Sequence, residues 1–241
     1  MAYQTTFSRY EIKFLLDEAK YERILSEIGP RMEQDAWGKT TVRNLYYDTP
    51  SYRLCRRSLE KPVYKEKLRL RSYGRVTGTE TVFAELKKKY KHRVYKRRLP
   101  LPEEKAVPWL GGETPAPVSS QIAEEIDAVL AFYREMRPTV FLSYDREAFY
   151  SRESRDFRLT FDRNVLYRCE DLSLQKEAWG TPLLPEGRVL MELKCAGGIP
   201  LWMAELLSRE RIYKTSFSKY GTAFCQFILP QKQKSGGFFY E

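Results

Sequence analysis

The chain has 241 residues, of which 42% are apolar, 14% aromatic and 31% charged. That composition excludes collagen-like, low-complexity and wholly disordered chains, and the length is enough to bury about 70–75% of the unfolded surface. A formal charge of +10, from 42 Lys and Arg against 32 Asp and Glu, points to an anionic partner such as nucleic acid, an acidic lipid surface or a phosphorylated molecule or polymer.

No apolar run approaches the roughly 20 residues of a membrane span, and Met1 to Tyr10 has neither the basic nor the apolar region of a secretion signal. The expectation is a soluble, cytoplasmic protein. Cys55, Cys169, Cys195 and Cys225 are far apart and show no C-x-x-C spacing, against a zinc site or a disulfide framework. Ser–His or Cys–His chemistry would rest on the single histidine, His92, inside the basic run Lys87 to Arg98.

In chain order, period-2 alternation predicts strands at Arg9 to Phe14, Val42 to Asp48, Lys67 to Tyr73, Thr81 to Lys89, Arg93 to Leu99, Val140 to Tyr150, Phe157 to Phe161 and Arg188 to Lys194. Turn signals between them, such as Thr77-Gly78-Thr79, favour antiparallel hairpins and so a sandwich or barrel. Helices are fewer. Asp17 caps one that ends at Gly29-Pro30, Thr49-Pro50 opens one towards Leu59, and Ser120 to Met136 forms one that Pro138 ends. Pro200 starts a short helix to about Arg209, and Ser216 to Leu229 forms the last. The Pro- and Gly-rich stretch Leu101 to Val118 reads as a loop. A single domain over 1–230 is expected, with 231–241 a disordered tail.

One pattern recurs in three of the predicted strands: Glu11-Ile12-Lys13, Glu85-Leu86-Lys87 and Glu192-Leu193-Lys194. Side chains alternate along a strand, so each Glu shares a face with its Lys while the aliphatic residue points the other way. Arg69-Leu70-Arg71 and Arg158-Leu159-Thr160-Phe161-Asp162 behave alike. These faces could be the solvated side of half-buried strands, but solvated sides ordinarily mix Ser, Thr, Gln and Asn with their charges. If helices cover the apolar faces, the charges line a barrel interior. Like charges about 7 Å apart repel there by about 2–2.5 kcal/mol at an effective dielectric near 20, which only carboxylates, counter-ions or a polyanion make tolerable. Arginines and lysines suit phosphate oxygens, and carboxylates on the same face suit a divalent metal bridging phosphates, which duplex binding would not need. No G-x-x-x-x-G-K-[ST] cradle is present.

The ordered motifs Arg9-Tyr10-Glu11-Ile12-Lys13-Phe14, Asn44-Leu45-Tyr46-Tyr47-Asp48-Thr49, Lys67-Leu68-Arg69-Leu70-Arg71, Ala84-Glu85-Leu86-Lys87, Ser143-Tyr144-Asp145-Arg146-Glu147-Ala148-Phe149, Arg158-Leu159-Thr160-Phe161-Asp162, Met191-Glu192-Leu193-Lys194 and Ser216-Phe217-Ser218-Lys219-Tyr220 resemble the VTC domain. That is the catalytic domain of the vacuolar transporter chaperone polyphosphate polymerase and its bacterial relatives, within the CYTH-like triphosphate tunnel metalloenzymes. The resemblance covers about Phe7 to Leu229. It implies an α+β fold dominated by antiparallel strands: an eight-stranded closed tunnel barrel with a charged interior and helices packed outside. It also implies a divalent metal, Mn²⁺ or Mg²⁺, and transfer of the terminal phosphoryl group of ATP to a polyphosphate chain.

Carried over position by position, the resemblance implies phosphate binding or catalysis at Lys13, Arg69, Arg71, Lys87, Arg146, Arg158 and Lys219, and metal binding at Glu192. Lys214 lies near a second lysine of the family, and alternation alone adds Lys89 and Lys194. Glu11, Glu85 and Asp162 are either further metal ligands or salt-bridge partners of neighbouring cations. Tyr46, Tyr47 and Tyr73 are expected to pack in walls and core instead of stacking on bases. The hydrolytic branch of the superfamily resembles Glu-x-Glu-x-Lys at the first strand, where this chain has Arg9. It tends to carry a second glutamate on the last strand, where this chain has Lys194. Both exchanges favour holding a long polyanion over activating water, hence polymerase over triphosphatase, with a non-catalytic polyphosphate or inositol phosphate module as a third reading. The expected partners are a nucleoside triphosphate and polyphosphate; nucleic acid is disfavoured, and coupling to a membrane would need another protein.

Overall fold

The computed structural model describes residues 6–91, 93–154 and 156–234, with side chains from residue 10 onward. His92, the side chain of Arg9, and residues 235–241 of the expected tail lie outside the described residues. All eight alternating runs form strands: β1 (Thr6–Asp17), β2 (Met32–Asp48), β3 (Tyr64–Tyr73), β4 (Thr81–Tyr90), β5 (Arg93–Pro102), β6 (Arg137–Ser151), β7 (Arg158–Arg168) and β9 (Arg188–Cys195). Two further strands, β8 (Thr181–Pro182) and β10 (Lys214–Thr215), are two residues each. All neighbours pair antiparallel in the order β10-β1-β5-β4-β3-β2-β6-β7-β8, and β9 lies off this path, laddered to both β1 and β7.

Helix α1 (Glu18–Ile28) starts where Asp17 accepts the Lys20 N–H at 2.8 Å. Helix α2 (Arg53–Leu59) begins later than Thr49-Pro50 suggests. The buried Asp48 carboxylate accepts the N–H groups of Thr49, Leu54 and Cys55 at 2.8, 2.9 and 3.0 Å, and Tyr52 turns the chain with φ 56. Thr49-Pro50 is therefore a turn ahead of the helix. Within the expected loop 101–118 runs α3 (Glu103–Leu110), its buried Trp109 donating to Asp127 of α4 (Gln121–Tyr133) at 2.7 Å. Tertiary packing of Trp109, Leu110 and Ala106 outweighs the weak local signal. Helix α4 stops at Tyr133, ahead of Pro138, because Arg134 and Glu135 adopt φ 49 and 42. Helix α5 spans Leu201–Arg209. The last helical run divides into α6 (Lys219–Ala223), a π turn (Phe224–Ile228) and α7 (Leu229–Lys234), so 231–234 are helical.

The apolar face of the sheet is covered as the alternation requires. Leu68, Leu70, Ala84 and Leu86 pack with Trp109, Ile126 and Val129 of α3 and α4. Phe14, Leu159, Met191 and Leu193 pack with Ile24, Ile28, Met203 and Leu206 of α1 and α5. Burying one such aliphatic side chain contributes about 1.5–3 kcal/mol, so the two clusters fix which way the alternating charges face.

The last helical run departs from the expectation that every helix packs outside. Tyr46 pairs in register with Arg69 and so shares the charged face, yet its ring lies 4.7 Å from that of Tyr220 on α6. Phe217 O accepts from Lys13 Nζ at 2.6 Å and Ser218 Oγ contacts Lys67 Nζ at 3.1 Å, so the segment before α6 lies against that same face.

Candidate phosphate-binding site

Register alone brings the first cluster together. Arg69 stands opposite Glu85 across β3–β4, and Glu85 opposite Arg98 across β4–β5. The Glu85 carboxylate is fully buried and receives Arg69 Nε and Nη2 at 2.9 and 2.7 Å, Arg98 Nε at 2.7 Å and Lys96 Nζ at 2.6 Å, with Arg71 Nε at 3.8 Å. Burial alone would favour the neutral acid, but Arg71, Lys96, Arg69 and Arg98 outweigh it and hold the carboxyl well below its usual range. Burial pulls the Lys96 ammonium well down against the attraction of Glu85, and the three arginines by themselves leave the cluster net positive.

A second cluster sits across β1, β9 and β7, where Lys13 pairs with Glu192, Glu11 with Lys194, and Thr160 with Glu192. Glu11 receives Lys87 Nζ at 2.6 Å, and Glu192 lies 3.6 Å from Lys194 Nζ. Burial pulls the ammonium groups of Lys13 and Lys194 down to about 8 against the attraction of Glu192. Beside them, Asp162 takes a bidentate grip from Arg146 at 2.6 and 2.7 Å and Lys219 Nζ at 2.5 Å. Burial opposes its ionisation, and Arg146 and Lys219 overcome it, so its carboxyl lies far below the ordinary range.

Tyrosines complete the walls. Tyr46 accepts Arg69 Nη1 at 3.0 Å, and Tyr144 accepts Arg71 Nη2 at 3.1 Å while Lys219 and Arg146 sit over its ring at 4.3 and 4.9 Å. Burial resists ionisation of Tyr144, yet Arg146, Arg71 and Lys219 bring its phenol below its ordinary value. Tyr46 and Tyr47 are buried, as the packing reading expects, whereas Tyr73 is 42% exposed.

Of the residues singled out in the sequence, Lys13, Arg69, Arg71, Lys87, Arg146, Lys194, Lys219, Glu11, Glu85, Glu192 and Asp162 thus meet on one face. Arg158 and Lys89 share that face only at its margins: Arg158 is 3.9 Å from Asp35, and Lys89 stands opposite Lys65. Lys214 does not join them, since it is exposed and pairs with Phe14, whose side chain belongs to the apolar face opposite Lys13. Lys67, Lys96, Arg98, Asn44 and Tyr144 were not singled out. Each lies two positions from another member of the face, so the period-2 count that located Arg69 and Arg71 could have reached them.

Whether a divalent cation fits is decided by the free oxygen donors. Among the described residues no group of three His, Cys, Asp or Glu side chains gathers to hold a metal ion. Glu85 and Asp162 are saturated by cations. Glu11 and Glu192 are less occupied: Glu11 meets Lys87 at 2.6 Å and Glu192 meets Lys194 at 3.6 Å, and the two carboxylates sit diagonally across the β1–β9 ladder, where the charge of Glu192 works against ionisation of Glu11. Next to them Thr160 Oγ1 is buried and makes no hydrogen bond within the described residues. Two hard carboxylates and a hydroxyl are the donor types that would suit a hard, oxygen-preferring divalent cation.

Fold and site together define an α+β protein, rich in antiparallel sheet, with a buried face on which cations outnumber carboxylates. Residues 8–228 match the family model of the VTC domain, and the chain belongs to that family. Among solved structures, it is similar to a candidate adenylate cyclase from Bacillus halodurans, with 14% identity, a TM-score of 0.58, and coverage of 89% of this chain and 96% of that one. It is also similar to a candidate adenylyl cyclase from Hippeastrum described as having a dominant triphosphatase activity, with 16% identity, a TM-score of 0.50, and coverage of 95% and 97%. These likenesses show a shared fold. No curated protein matches the chain. Among the described residues no helix is long and apolar enough to cross a membrane.

Proposed function

We propose that the β9 ladders to β1 and β7 close the eight long strands into a tunnel lined by the charged face. In this tunnel the terminal phosphoryl group of a nucleoside triphosphate, ATP foremost, passes to a growing polyphosphate chain. The observation that carries the reading is the charge balance of the buried face: Glu85 alone faces Arg69, Arg71, Lys96 and Arg98, and Asp162 faces Arg146 and Lys219. Such a surplus, already neutralised as far as its carboxylates allow, is complementary to a polyanion.

Phosphoryl transfer asks the protein chiefly for positioning and charge neutralisation. Arg69 and Arg71, about 6.6–7 Å apart on one strand face, offer two guanidinium groups to the oxygens of one phosphate chain. Arg146 and Lys219 are held by Asp162, and Lys13 and Lys194 flank Glu192. Glu192 with Glu11 would hold a Mg²⁺ or Mn²⁺ ion, which supplies neutralisation of charge on bridged phosphate oxygens. Lys87, tied to Glu11, brings a further cation to the same place, and Arg158 and Lys89 extend the positive surface at its margins.

Hydrolysis is the second reading, favoured by the likeness to the Hippeastrum protein and its described triphosphatase activity. Lys194, 3.6 Å from Glu192 where the hydrolytic branch tends to place a glutamate, argues for the polymerase. Incubation with ATP and Mn²⁺ or Mg²⁺, followed by a polyphosphate-stained gel, separates the two. A ladder of polyphosphate is expected, and orthophosphate alone would assign hydrolysis.

A further inference from the structure

One aromatic side chain on the charged face is unlike the others. Tyr46, Tyr144 and Tyr220 are buried and hydrogen-bonded, whereas Tyr73 exposes 42% of its surface. Alternation along β3 puts Lys67, Arg69, Arg71 and Tyr73 in one row. The Lys67 end of that row is covered, because its ammonium contacts Ser218 Oγ at 3.1 Å and lies over the Tyr220 ring at 5.8 Å, and Tyr220 is anchored to Asp48 at 2.8 Å. A triphosphate resting on Arg69 and Arg71 that extended towards Lys67 would meet Ser218 and Tyr220. Extending the other way, it meets Tyr73, a part-exposed residue whose ring has the Arg98 guanidinium 5.8 Å from its centroid.

That ring is braced. Phe83, opposite Arg71 in register, meets it edge-on with centroids 5.7 Å apart and planes at 75°. Arg98 donates through Nη2 to the Tyr73 hydroxyl at 3.0 Å and through Nε to Glu85 at 2.7 Å, with its guanidinium 4.6 Å over the Phe83 ring. One arginine therefore couples the ring to the carboxylate that organises Arg69 and Arg71.

We propose that Tyr73, backed by Phe83 and Arg98, is a stacking platform for the base of the nucleoside triphosphate; this rests on the triphosphate reading above. The platform offers a π face and a cation, while Glu85, its neighbouring carboxylate, is already saturated by cations. Stacking of this kind accepts every base, so the site discriminates nucleotide from bare phosphate chain and not purine from purine.

The test is titration calorimetry of the full chain with ATP, GTP and inorganic tripolyphosphate at one fixed Mg²⁺ concentration, for the parent, Tyr73→Ala and Tyr73→Phe. Loss of one base–aromatic stack is expected to weaken ATP and GTP about tenfold in Tyr73→Ala, within the range for such truncations, and to leave tripolyphosphate within about twofold. Tyr73→Phe, which keeps the ring and loses the hydroxyl held by Arg98, is expected to bind like the parent. Equal losses for nucleotides and tripolyphosphate, or a Phe variant as weak as the Ala variant, would mean that Tyr73 acts only through Arg98, and the platform would be refuted. Unchanged nucleotide binding in Tyr73→Ala would refute it too, while leaving the triphosphate site standing. A parent that binds no tripolyphosphate would overturn the triphosphate reading and the platform with it.

Discussion

Glu85→Gln is the most informative perturbation of the charged face. The side chain keeps its shape and one acceptor oxygen, but the charge that balances Arg69, Arg71, Lys96 and Arg98 is gone. Removing one partner of a buried ion pair costs about 3–5 kcal/mol, because the partner is left buried and uncompensated. The retained acceptor places this variant near the lower figure. For a chain of this length a kilocalorie corresponds to about 2–4 °C in midpoint, so unliganded Glu85→Gln should melt about 6–12 °C below the parent. A polyanion can take the place of the lost charge: tripolyphosphate at a hundred times its Kd adds about 2.7 kcal/mol, enough to return most of the loss. Differential scanning calorimetry with and without tripolyphosphate measures both effects. A variant melting within about 2 °C of the parent, with no larger response to tripolyphosphate, would mean that solvent and not Glu85 separates the four cations, and the interior assignment of this face would be wrong.

Arg69→Ala should reduce tripolyphosphate affinity at least tenfold while the protein stays folded, since Arg71, Lys96 and Arg98 still neutralise Glu85; Arg23→Ala, an exposed pair with Glu210, should change neither in the same titration. The burial-depressed lysines give a pH dependence of known sign. Lys13 and Lys194, near 8 in the folded chain against an ordinary value near 10.5, lose their protons as pH rises through about 8, so tripolyphosphate affinity should fall there, and Lys13→Arg with Lys194→Arg should flatten the profile. The unfolded chain holds those two protons up to about 10.5, so between about 8 and 10.5 these two groups make the unliganded fold more stable as pH rises, the opposite direction to binding. Chemical denaturation at pH 7 and 9 separates the two trends, and a midpoint that moved in step with affinity would contradict the assignment.

Much of this protein follows from local rules. Two-residue alternation identified all eight long strands, and Glu-x-Lys with an aliphatic centre determined that Glu85 and Lys87, or Glu192 and Lys194, must share a face while Leu86 and Leu193 take the other, because that geometry is intrinsic to an extended backbone. The N-cap at Asp17 is equally local, one carboxylate meeting a backbone N–H three residues on. Tertiary structure decided what no such rule contains. Alternation does not contain the cations that Glu85 meets from the next strand, where β5 brings Lys96 and Arg98 to its carboxylate. Helix α3 forms inside a Pro- and Gly-rich stretch because Trp109 finds a core and Asp127. Lys214, close to Lys219 in sequence, is turned away by its pairing with Phe14, whereas Lys219 reaches Asp162 from a segment 57 residues distant. Tyr73 shares its strand face with Arg71, yet only the covering of one end of that row by Ser218 and Tyr220, and the exposure of the other, sets it apart from Tyr46. Those outcomes depend on which distant segments arrive at each position, and long-range pairing, unlike alternation, leaves no periodic mark on the residues it joins.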